Sequence, residues 1–388
     1  MTCANMNTPA EVFRRKALAL AIGVSALTLV PMGQAAVQTA VAWGYNSSRQ
    51  IDVPQGLINI VAVAGGAYHS LALKDDGRVV AWGDNTYGQT NVPAGLTDVT
   101  AIAGGWFHSL ALKSNGTVVA WGDNTYHQTN VPSGLANVTA VAGGWIHSLA
   151  LKSNGTVIAW GDNGWGQTNV PAGLSNVVAI AAGESQNLAL KSDGTVVAWG
   201  DNYYGQTNVP AGLAGVSAIA GGWLHSMVLG SNGAVVVWGD NFYAQTNAPP
   251  GLTNGTAIAC GGEHNLVRRN NGTLITWGSN CFGQTNVPPG LTNILMVAGG
   301  GYHNLALATL PIPPLVFNTD PTNLQMTANG FHLQVDGASG VGSVIIYAST
   351  DLSQWAPILT NPPATGSLQF LDSSATNLPR RFYRAEER

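Results

Sequence analysis

Three residue types that could bind or react recur at one fixed spacing in this chain. Histidines follow Gly-Gly pairs, Asp-Asn pairs follow tryptophans, and aromatic residues accompany both elements. The histidines are His69, His108, His147, His225, His264 and His303, and the aspartates are Asp84, Asp123, Asp162, Asp201 and Asp240. Histidines can bind metals, aspartates can bind calcium, and clustered aromatic rings can bind a protein or a sugar.

Metal chemistry is the weaker interpretation of the polar residues. His108 precedes Leu110 and Leu112 by two and four residues, so strand alternation places all three on one side. With one histidine per repeat, we expect structural histidines bonded to backbone groups. The aspartates lack the alternating oxygen ligands of calcium loops, which favours Asx turns. We therefore predict no metal and no cofactor.

Catalysis has little support in the sequence. Glu184 and Glu263 are expected to share one face. They lie two repeats apart, beyond the roughly 5 to 10 Å that paired glycosidase carboxylates need. The sequence contains no nucleophile elbow, phosphate loop or zinc motif, and we assign no catalytic residue.

The elements that position these residues form a 39-residue repeat. Trp-Gly pairs mark its seven copies, at Trp43, Trp82, Trp121, Trp160, Trp199, Trp238 and Trp277. Each copy holds three apolar runs and a weaker fourth run at Gln-Thr-Asn-Val, bounded by Gly, Asn, Asp or Pro. Asn115-Gly116 and its equivalents predict tight hairpins between the second and third runs. We predict an all-β, seven-bladed β-propeller of four-stranded blades.

The ends of the array predict how the ring closes. It begins with a third strand at 41–43 and ends with a first and second strand at 297–299 and 303–308. The N-terminal strand can therefore complete the blade that the C-terminal strands begin, which leaves no free sheet edge.

Composition excludes several other classes of protein. The 388 residues include 49 Gly, are 45% hydrophobic and only 9% charged, which excludes a disordered or collagen-like chain. The net charge is −4, and basic residues cluster only within the first twenty positions, so we expect no nucleic-acid partner.

Four segments follow from the order of the sequence: a signal peptide at 1–36, the propeller at 37–309, a Pro-rich linker at 310–314 and a small β-sandwich module at 315–388. Arg14-Arg15-Lys16 precede an apolar run at 17–30, which is too short for an ordinary membrane span. We expect a protein that is secreted, periplasmic or at the cell surface, by general secretion or a twin-arginine route. Cys260 and Cys281 then form a disulfide or remain two semi-buried small apolar residues.

Aromatic residues concentrate in the loops that follow the first and third strands, which emerge on the same side of the ring. These loops hold 15 of the 30 aromatic residues, and the loops of the opposite side hold none. The predicted binding face consists of Tyr68, Trp106, Phe107, Trp145, Trp165, Glu184, Tyr203, Tyr204, Trp223, Phe242, Tyr243, Glu263 and Tyr302. The copies differ at the loop tips, as expected of a recognition surface on a rigid frame.

The repeated Ala-Ile-Ala-Gly-Gly-x-x-His-Ser-Leu-Ala-Leu-Lys and Val-Val-Ala-Trp-Gly-Asp-Asn-x-x-Gly-Gln-Thr elements resemble the regulator of chromosome condensation repeat family of seven-bladed propellers. The compact unit is similar in style to secreted bacterial β-lactamase inhibitory proteins of the second type. That resemblance implies contact with an enzyme through this aromatic face. Short units, an export signal and few basic residues argue against exchange-factor activity on a nuclear GTPase.

Three functions stay open at this point. The first is a secreted, monomeric recognition propeller that binds an extracellular or periplasmic protein, with β-lactamase inhibition as its specific version. The second is a glycan-binding or polysaccharide-degrading protein, because exposed Trp and Tyr also stack on sugars. The third is an extracellular scaffold.

Overall fold

The computed structural model describes residues 15–17, 36–311, 316–317, 324–327, 329–339, 343–349, 354, 356–362, 364–374 and 382–387. These residues belong to two compact units, one formed by Gln38–Leu310 and one by Met1–Val37 with Pro311–Arg388. Most of the predicted signal peptide and linker lies outside the described residues. No helix in the described ranges is long and apolar enough to cross a membrane.

Seven three-stranded antiparallel sheets make up the larger unit. The first six blades follow one another along the chain, and the seventh joins strands from both ends. Blade 1 contains β3 (Ile60–Gly65), β4 (His69–Lys74) and β5 (Val79–Gly83); blade 2 contains β6 (Val99–Gly104), β7 (His108–Lys113) and β8 (Val118–Gly122); blade 3 contains β9 (Val138–Gly143), β10 (His147–Lys152) and β11 (Val157–Gly161); blade 4 contains β12 (Val177–Ala182), β13 (Gln186–Lys191) and β14 (Val196–Gly200); blade 5 contains β15 (Val216–Gly221), β16 (His225–Gly230) and β17 (Val235–Gly239); blade 6 contains β18 (Gly255–Cys260), β19 (His264–Arg269) and β20 (Leu274–Gly278); blade 7 contains β21 (Ile294–Gly299), β22 (His303–Pro311) and β2 (Ala36–Gly44).

The sequence of one blade explains its local structure. In blade 2 the middle strand β7 is buried along most of its length, because both of its faces pack within the ring. Its hairpin to β8 turns at Gly116, whose φ of +78° suits glycine. Lys113 and Thr117 close that turn with a backbone hydrogen bond of 2.9 Å.

The predicted fourth strand is absent from the described blades. The Gln-Thr-Asn-Val segment forms turns and an irregular connection instead. Its role is to join neighbouring blades, because the carbonyl of Gln89 accepts a 2.9 Å hydrogen bond from the indole Nε1–H of Trp121. All seven Trp-Gly tryptophans make this bond to the preceding glutamine, so they fix each blade to its neighbour.

The ring closes as the sequence predicts. Strand β2 pairs with β22, which pairs with β21, and β21 lies beside β3 of blade 1. The indole of Trp43 donates to the carbonyl of Gln284 at 3.0 Å, across a sequence separation of 241 residues. Seven apolar clusters between the blades form the core of the propeller.

The described residues of the second unit form two antiparallel sheets. Their strands are β1 (Arg15–Ala17), β29 (Phe382–Glu387), β26 (Val344–Ser349) and β27 (Ala356–Asn361) in one, and β23 (Val316–Phe317), β25 (Gly330–Ser339), β24 (Leu324–Thr327) and β28 (Thr365–Asp372) in the other. Both sheets contribute to one apolar core, in which Leu333 of β25 and Ile346 of β26 are buried. Within the segment predicted as a signal peptide, β1 pairs with β29.

Candidate binding face

The loops that follow the first strands meet around the propeller axis. In each loop a backbone N–H donates to a carbonyl of the next blade, as from Trp106 to Gly144 at 3.1 Å and from Trp145 to Glu184 at 3.0 Å. The last loop returns to the first, because Gly301 donates to Gly66 at 3.0 Å. These bonds complete a closed circle of backbone contacts that holds the loop residues in place.

The Gly-Gly pair has a separate steric reason at each position. A Cβ on Gly104 would lie 2.5 Å from the Gly65 carbonyl oxygen, so the first glycine lets neighbouring first strands approach. A Cβ on Gly105 would lie 2.1 Å from Cε1 of His108. The second glycine therefore makes room for the imidazole that the motif places three residues later.

The buried histidines link the blades through side chains, which corrects the prediction that they bond to backbone groups. His108 Nε2 lies 3.0 Å from Ser148 Oγ in the next blade. Because Ser148 Oγ donates to the Gln128 carbonyl, it accepts from a protonated Nε2. Asparagine takes the place of serine in three of these bonds, at Asn187, Asn265 and Asn304.

The same arrangement keeps these histidines neutral. Their Nδ1 atoms are buried and have no hydrogen-bond partner in the part of the chain that the structure describes, so a second proton would have no acceptor there. Burial lowers the pKa to about 3 for His108 and His303 and to about 4 for the other four. Among the described residues no group of three or more His, Cys, Asp or Glu could hold a metal ion.

Nine aromatic side chains form one continuous network on the face around the axis. Trp106 stacks on Trp223 with centroids 5.1 Å apart, contacts Trp145 at 4.5 Å, and Trp223 contacts Tyr302 at 4.8 Å. The network consists of Tyr45, Tyr68, Tyr87, Trp106, Phe107, Trp145, Trp223, Phe282 and Tyr302. Six of the predicted face residues therefore lie together. Burial raises the pKa of Tyr302 to about 12.

The other predicted aromatics lie outside this network, in the loops after the third strands of blades 3 to 5. Three of them are largely exposed: Phe242 is 81% exposed, Tyr203 is 78% exposed and Trp165 is 58% exposed. Tyr203 contacts Tyr204, and Phe242 contacts Tyr243, each pair at 4.9 Å. We call the network together with these five residues the aromatic face.

Glutamine and asparagine side chains hold the outer loops, a role that the sequence reasoning missed. In blade 1, Gln89 donates to the Asp84 carboxylate at 2.6 Å and accepts from the Tyr87 N–H at 2.9 Å. Asp84 also accepts from Thr86, which confirms the predicted Asx turn. The Gln and Asn residues recur at the same 39-residue spacing as the Trp-Gly pairs, and this recurrence is the sequence signal from which their role could have been predicted.

The differences among copies at the first loop position have a packing reason. These seven positions converge on the axis, and Trp223 lies over Gly262 and Gly301 of the next two blades. A Cβ on Gly262 would come within 2.6 Å of the Trp223 ring. Three of the other four positions, Ala67, Gly262 and Gly301, are small, which leaves space at the axis for the three indoles. The fourth, in blade 4, is Glu184.

Two carboxylates stand within this aromatic surface. Burial, followed by the charges of Asp201 and Glu263, raises the pKa of Glu184 to about 7. Burial and the charge of Asp240 raise the pKa of Glu263. Although Glu184 and Glu263 lie two blades apart, the charge of Glu263 acts on Glu184.

Cys260 and Cys281 are both free thiols in the structure. Cys260 Sγ lies 3.5 Å from Asn265 Oδ1, and Cys281 Sγ accepts from Ser279 at 3.6 Å. Burial raises the pKa of the Cys260 thiol.

Together these features define the class of protein: a closed, seven-bladed β-propeller whose loops present an aromatic surface at one end of the axis. Six segments match the regulator of chromosome condensation (RCC1) repeat, at residues 60–89, 99–128, 138–167, 177–206, 216–245 and 256–284. The propeller therefore belongs to the RCC1 repeat family.

Solved structures share this fold at low sequence identity. Prp20p from Saccharomyces cerevisiae is 21% identical with a TM-score of 0.60, and the match covers 71% of this chain and 92% of that chain. Human WBSCR16 is 21% identical with a TM-score of 0.58, covering 70% and 98%. The ectodomain of the Physcomitrella patens receptor kinase CR4 is 21% identical with a TM-score of 0.53, covering 72% and 74%. No curated protein matches the chain in sequence.

Proposed function

We propose that this protein is an exported recognition propeller that binds a protein partner through its aromatic face. The observation that carries the proposal is the continuous aromatic network with exposed rings beside it. Large exposed rings such as Phe242 and Trp165 are typical of residues that dominate protein interfaces. The closed circle of backbone bonds around the axis and the glutamine side chains that hold the outer loops supply a rigid frame, which lowers the entropy cost of binding.

The family supports a protein partner in general terms. Prp20p is described by its binding properties to Gsp1p and histones, so an RCC1-type propeller can present a surface to other proteins. The specific version that we propose to test first is inhibition of a class A β-lactamase, which rests on the similarity of the compact repeat unit to the secreted β-lactamase inhibitory proteins.

The experiment compares truncation of exposed rings with truncation of an exposed side chain elsewhere. Trp165→Ala and Phe242→Ala remove rings that contribute little to folding, because both are mostly exposed. Val178→Ala is the matched control, since Val178 is 54% exposed near the start of β12 at the other end of the blade. We expect the double ring variant to weaken inhibition of a panel of class A β-lactamases by about 30-fold or more, and the control to leave it unchanged.

A second arm tests protein binding without assuming a β-lactamase. A photo-crosslinking amino acid replaces Phe242, or Val178 as control, and the protein is exposed to the extracellular fraction of its source organism. A protein adduct specific to position 242 supports the proposal. Binding to glycans that is lost in Trp165→Ala and Phe242→Ala, with no protein adduct, would replace it with the carbohydrate-binding function.

A further inference from the structure

We propose that the axis of the propeller carries a binding site for an organic cation, an alkylammonium or guanidinium group, between the indoles of Trp106, Trp145 and Trp223 and the carboxylate of Glu184. The cation is either a free small molecule or the side chain of a protein. The site lies within the aromatic face and therefore extends the proposed function, but small probes test it whether or not a protein partner binds there.

The space for such a group is a cavity of about 320 Å³ that follows the axis. Its wall consists mainly of Gly, Ala, Val and Ile from the first strands of all seven blades. The larger side chains in the lining are Trp106, Trp145, Glu184 and Trp223, which occupy equivalent loop positions in blades 2 to 5. An apolar cavity with one carboxylate and several aromatic rings suits a small group that is both cationic and apolar.

The charge of Glu184 lacks a counter-ion within the described residues. Among the described residues no hydrogen bond or ion pair reaches its carboxylate, and the described ion pairs join Lys74 and Arg78 to Asp76, and Lys191 to Asp193. Those residues all lie at the hairpins between the second and third strands, on the opposite side of the ring. A half-buried carboxylate without a partner is costly, and a bound cation would remove that cost.

The rest of the aromatic face favours the same sign of ligand. Its loops carry Glu184 and Glu263 together with the five Asp-Asn aspartates, and Arg49 is the one Lys or Arg in the loops that follow the third strands of the described propeller. The Lys and Arg residues that end the second strands, Lys74, Lys113, Lys152, Lys191 and Arg269, lie on the opposite side. An anion approaching the axis is repelled, whereas a cation is attracted.

The indoles supply the second attraction. Electron-rich ring faces attract cations, with tryptophan the strongest of the aromatic side chains. Trp106 contacts both Trp145 and Trp223, so the three rings act as one surface beside Glu184. Among the described residues Trp106 Nε1 has no hydrogen-bond partner, so a ligand oxygen that reached it would pair a buried donor.

The test pairs each cationic probe with a neutral probe of the same shape. Calorimetry and tryptophan fluorescence compare choline with 3,3-dimethylbutan-1-ol, and the peptide acetyl-Gly-Arg-Gly-amide with its citrulline analogue. Tighter binding of choline identifies a free cation as the ligand, and tighter binding of the arginine peptide identifies a protein side chain. If neither cation binds more tightly than its neutral analogue, the proposal is wrong.

Variants then locate the site. Glu184→Gln keeps the shape and removes the charge, and we expect it to weaken binding of the preferred cation by about tenfold. Asp75→Asn removes the same charge from an exposed residue at the opposite side, and we expect it to bind like the parent protein. Thermal melts of both variants verify that they fold. Unchanged cation affinity in a folded Glu184→Gln variant would overturn the assignment of the site.

Discussion

Acid should unfold the propeller through its buried histidines, and one substitution can reveal how much a single imidazole contributes to the loss of stability. The six imidazoles have a folded pKa of about 3 to 4, below the value of about 6.5 in an unfolded chain. The unfolded chain therefore binds more protons between these values. Stability is fully present above about pH 6.5 and falls as the pH is lowered toward 4.

The size of the effect follows from the proton linkage. Between pH 7.5 and pH 5.5, each histidine lowers the free energy of unfolding by about 1.4 kcal/mol, and six lower it by about 8 kcal/mol. A whole domain is stable by about 5 to 15 kcal/mol, so this loss is large. Glu184, whose pKa is raised to about 7, and Glu263, whose pKa is also raised, bind protons more readily in the folded state and act in the opposite direction, but they are two groups against six.

The fourth blade supplies the substitution. There Gln186 replaces histidine and donates to the carbonyls of Gly222 and His225, at 2.9 and 3.2 Å. We expect His108→Gln to make the equivalent bonds to Gly144 and His147. This variant should lose about 1.4 kcal/mol less than the parent protein between pH 7.5 and pH 5.5. The exposed His127→Gln is the control and should retain the parent's pH dependence.

Urea titrations at pH 7.5, 6.5 and 5.5 measure these differences. Tryptophan emission reports on the propeller, because 11 of the 12 Trp lie between residues 38 and 310. The reasoning is refuted if the parent protein keeps its stability at pH 5.5, or if a folded His108→Gln variant shows the same loss as the parent.

Three further predictions concern the packing of the Gly-Gly pair, the closure of the ring and the reactivity of the two thiols. Gly105→Ala should lower the free energy of unfolding by about 2 kcal/mol or more, since the added Cβ would overlap the His108 ring. Gly164→Ala is the control and should cost far less, because its Cβ would lie 3.3 Å from the nearest atom. Urea titration of both variants measures the difference. Changing Trp43 to Phe should cost about 1 to 3 kcal/mol by leaving the buried Gln284 carbonyl with one donor fewer, and an equal stability in denaturation would contradict the closure role of β2. Iodoacetamide should label Cys281 quickly and Cys260 slowly in peptide mapping, because Cys281 is exposed and burial raises the pKa of Cys260; equal rates would contradict this.

Periodicity explains what the sequence could predict about the fold. Trp-Gly pairs at a 39-residue spacing, with Asn-Gly turns between apolar runs, are sufficient for the blade count, the order of the first three strands and the closure by residues 41–43. The prediction of a fourth strand was wrong, because Gln89 and its equivalents are buried and accept hydrogen bonds from the next blade. The alternation of polar and apolar residues does not distinguish that role from an edge strand.

The candidate site was predictable only in part, because convergence at an axis is a tertiary property. The sequence identifies Trp106, Trp145 and Trp223 as loop residues of one face, but their spacings of 39, 78 and 117 residues do not show which rings touch. The stacking of Trp106 on Trp223, three blades apart, depends on Gly262 and Gly301 being small. Variation at that position therefore reflects packing on the axis as well as recognition.

Closure of the ring must wait until nearly the whole propeller has been synthesised, because β2 is made first and its partner strand last. The partner strand β22 begins at His303, about 260 residues after Gly44, and a ribosome needs roughly 10 to 50 s to add that length of chain. Throughout this interval blades 1 to 6 can form in order, while β2 has no strand to pair with and β3 lacks its neighbour β21. Each new chain therefore passes through an open ring with two unpaired surfaces, and a neighbouring nascent chain could supply the missing strands at that stage.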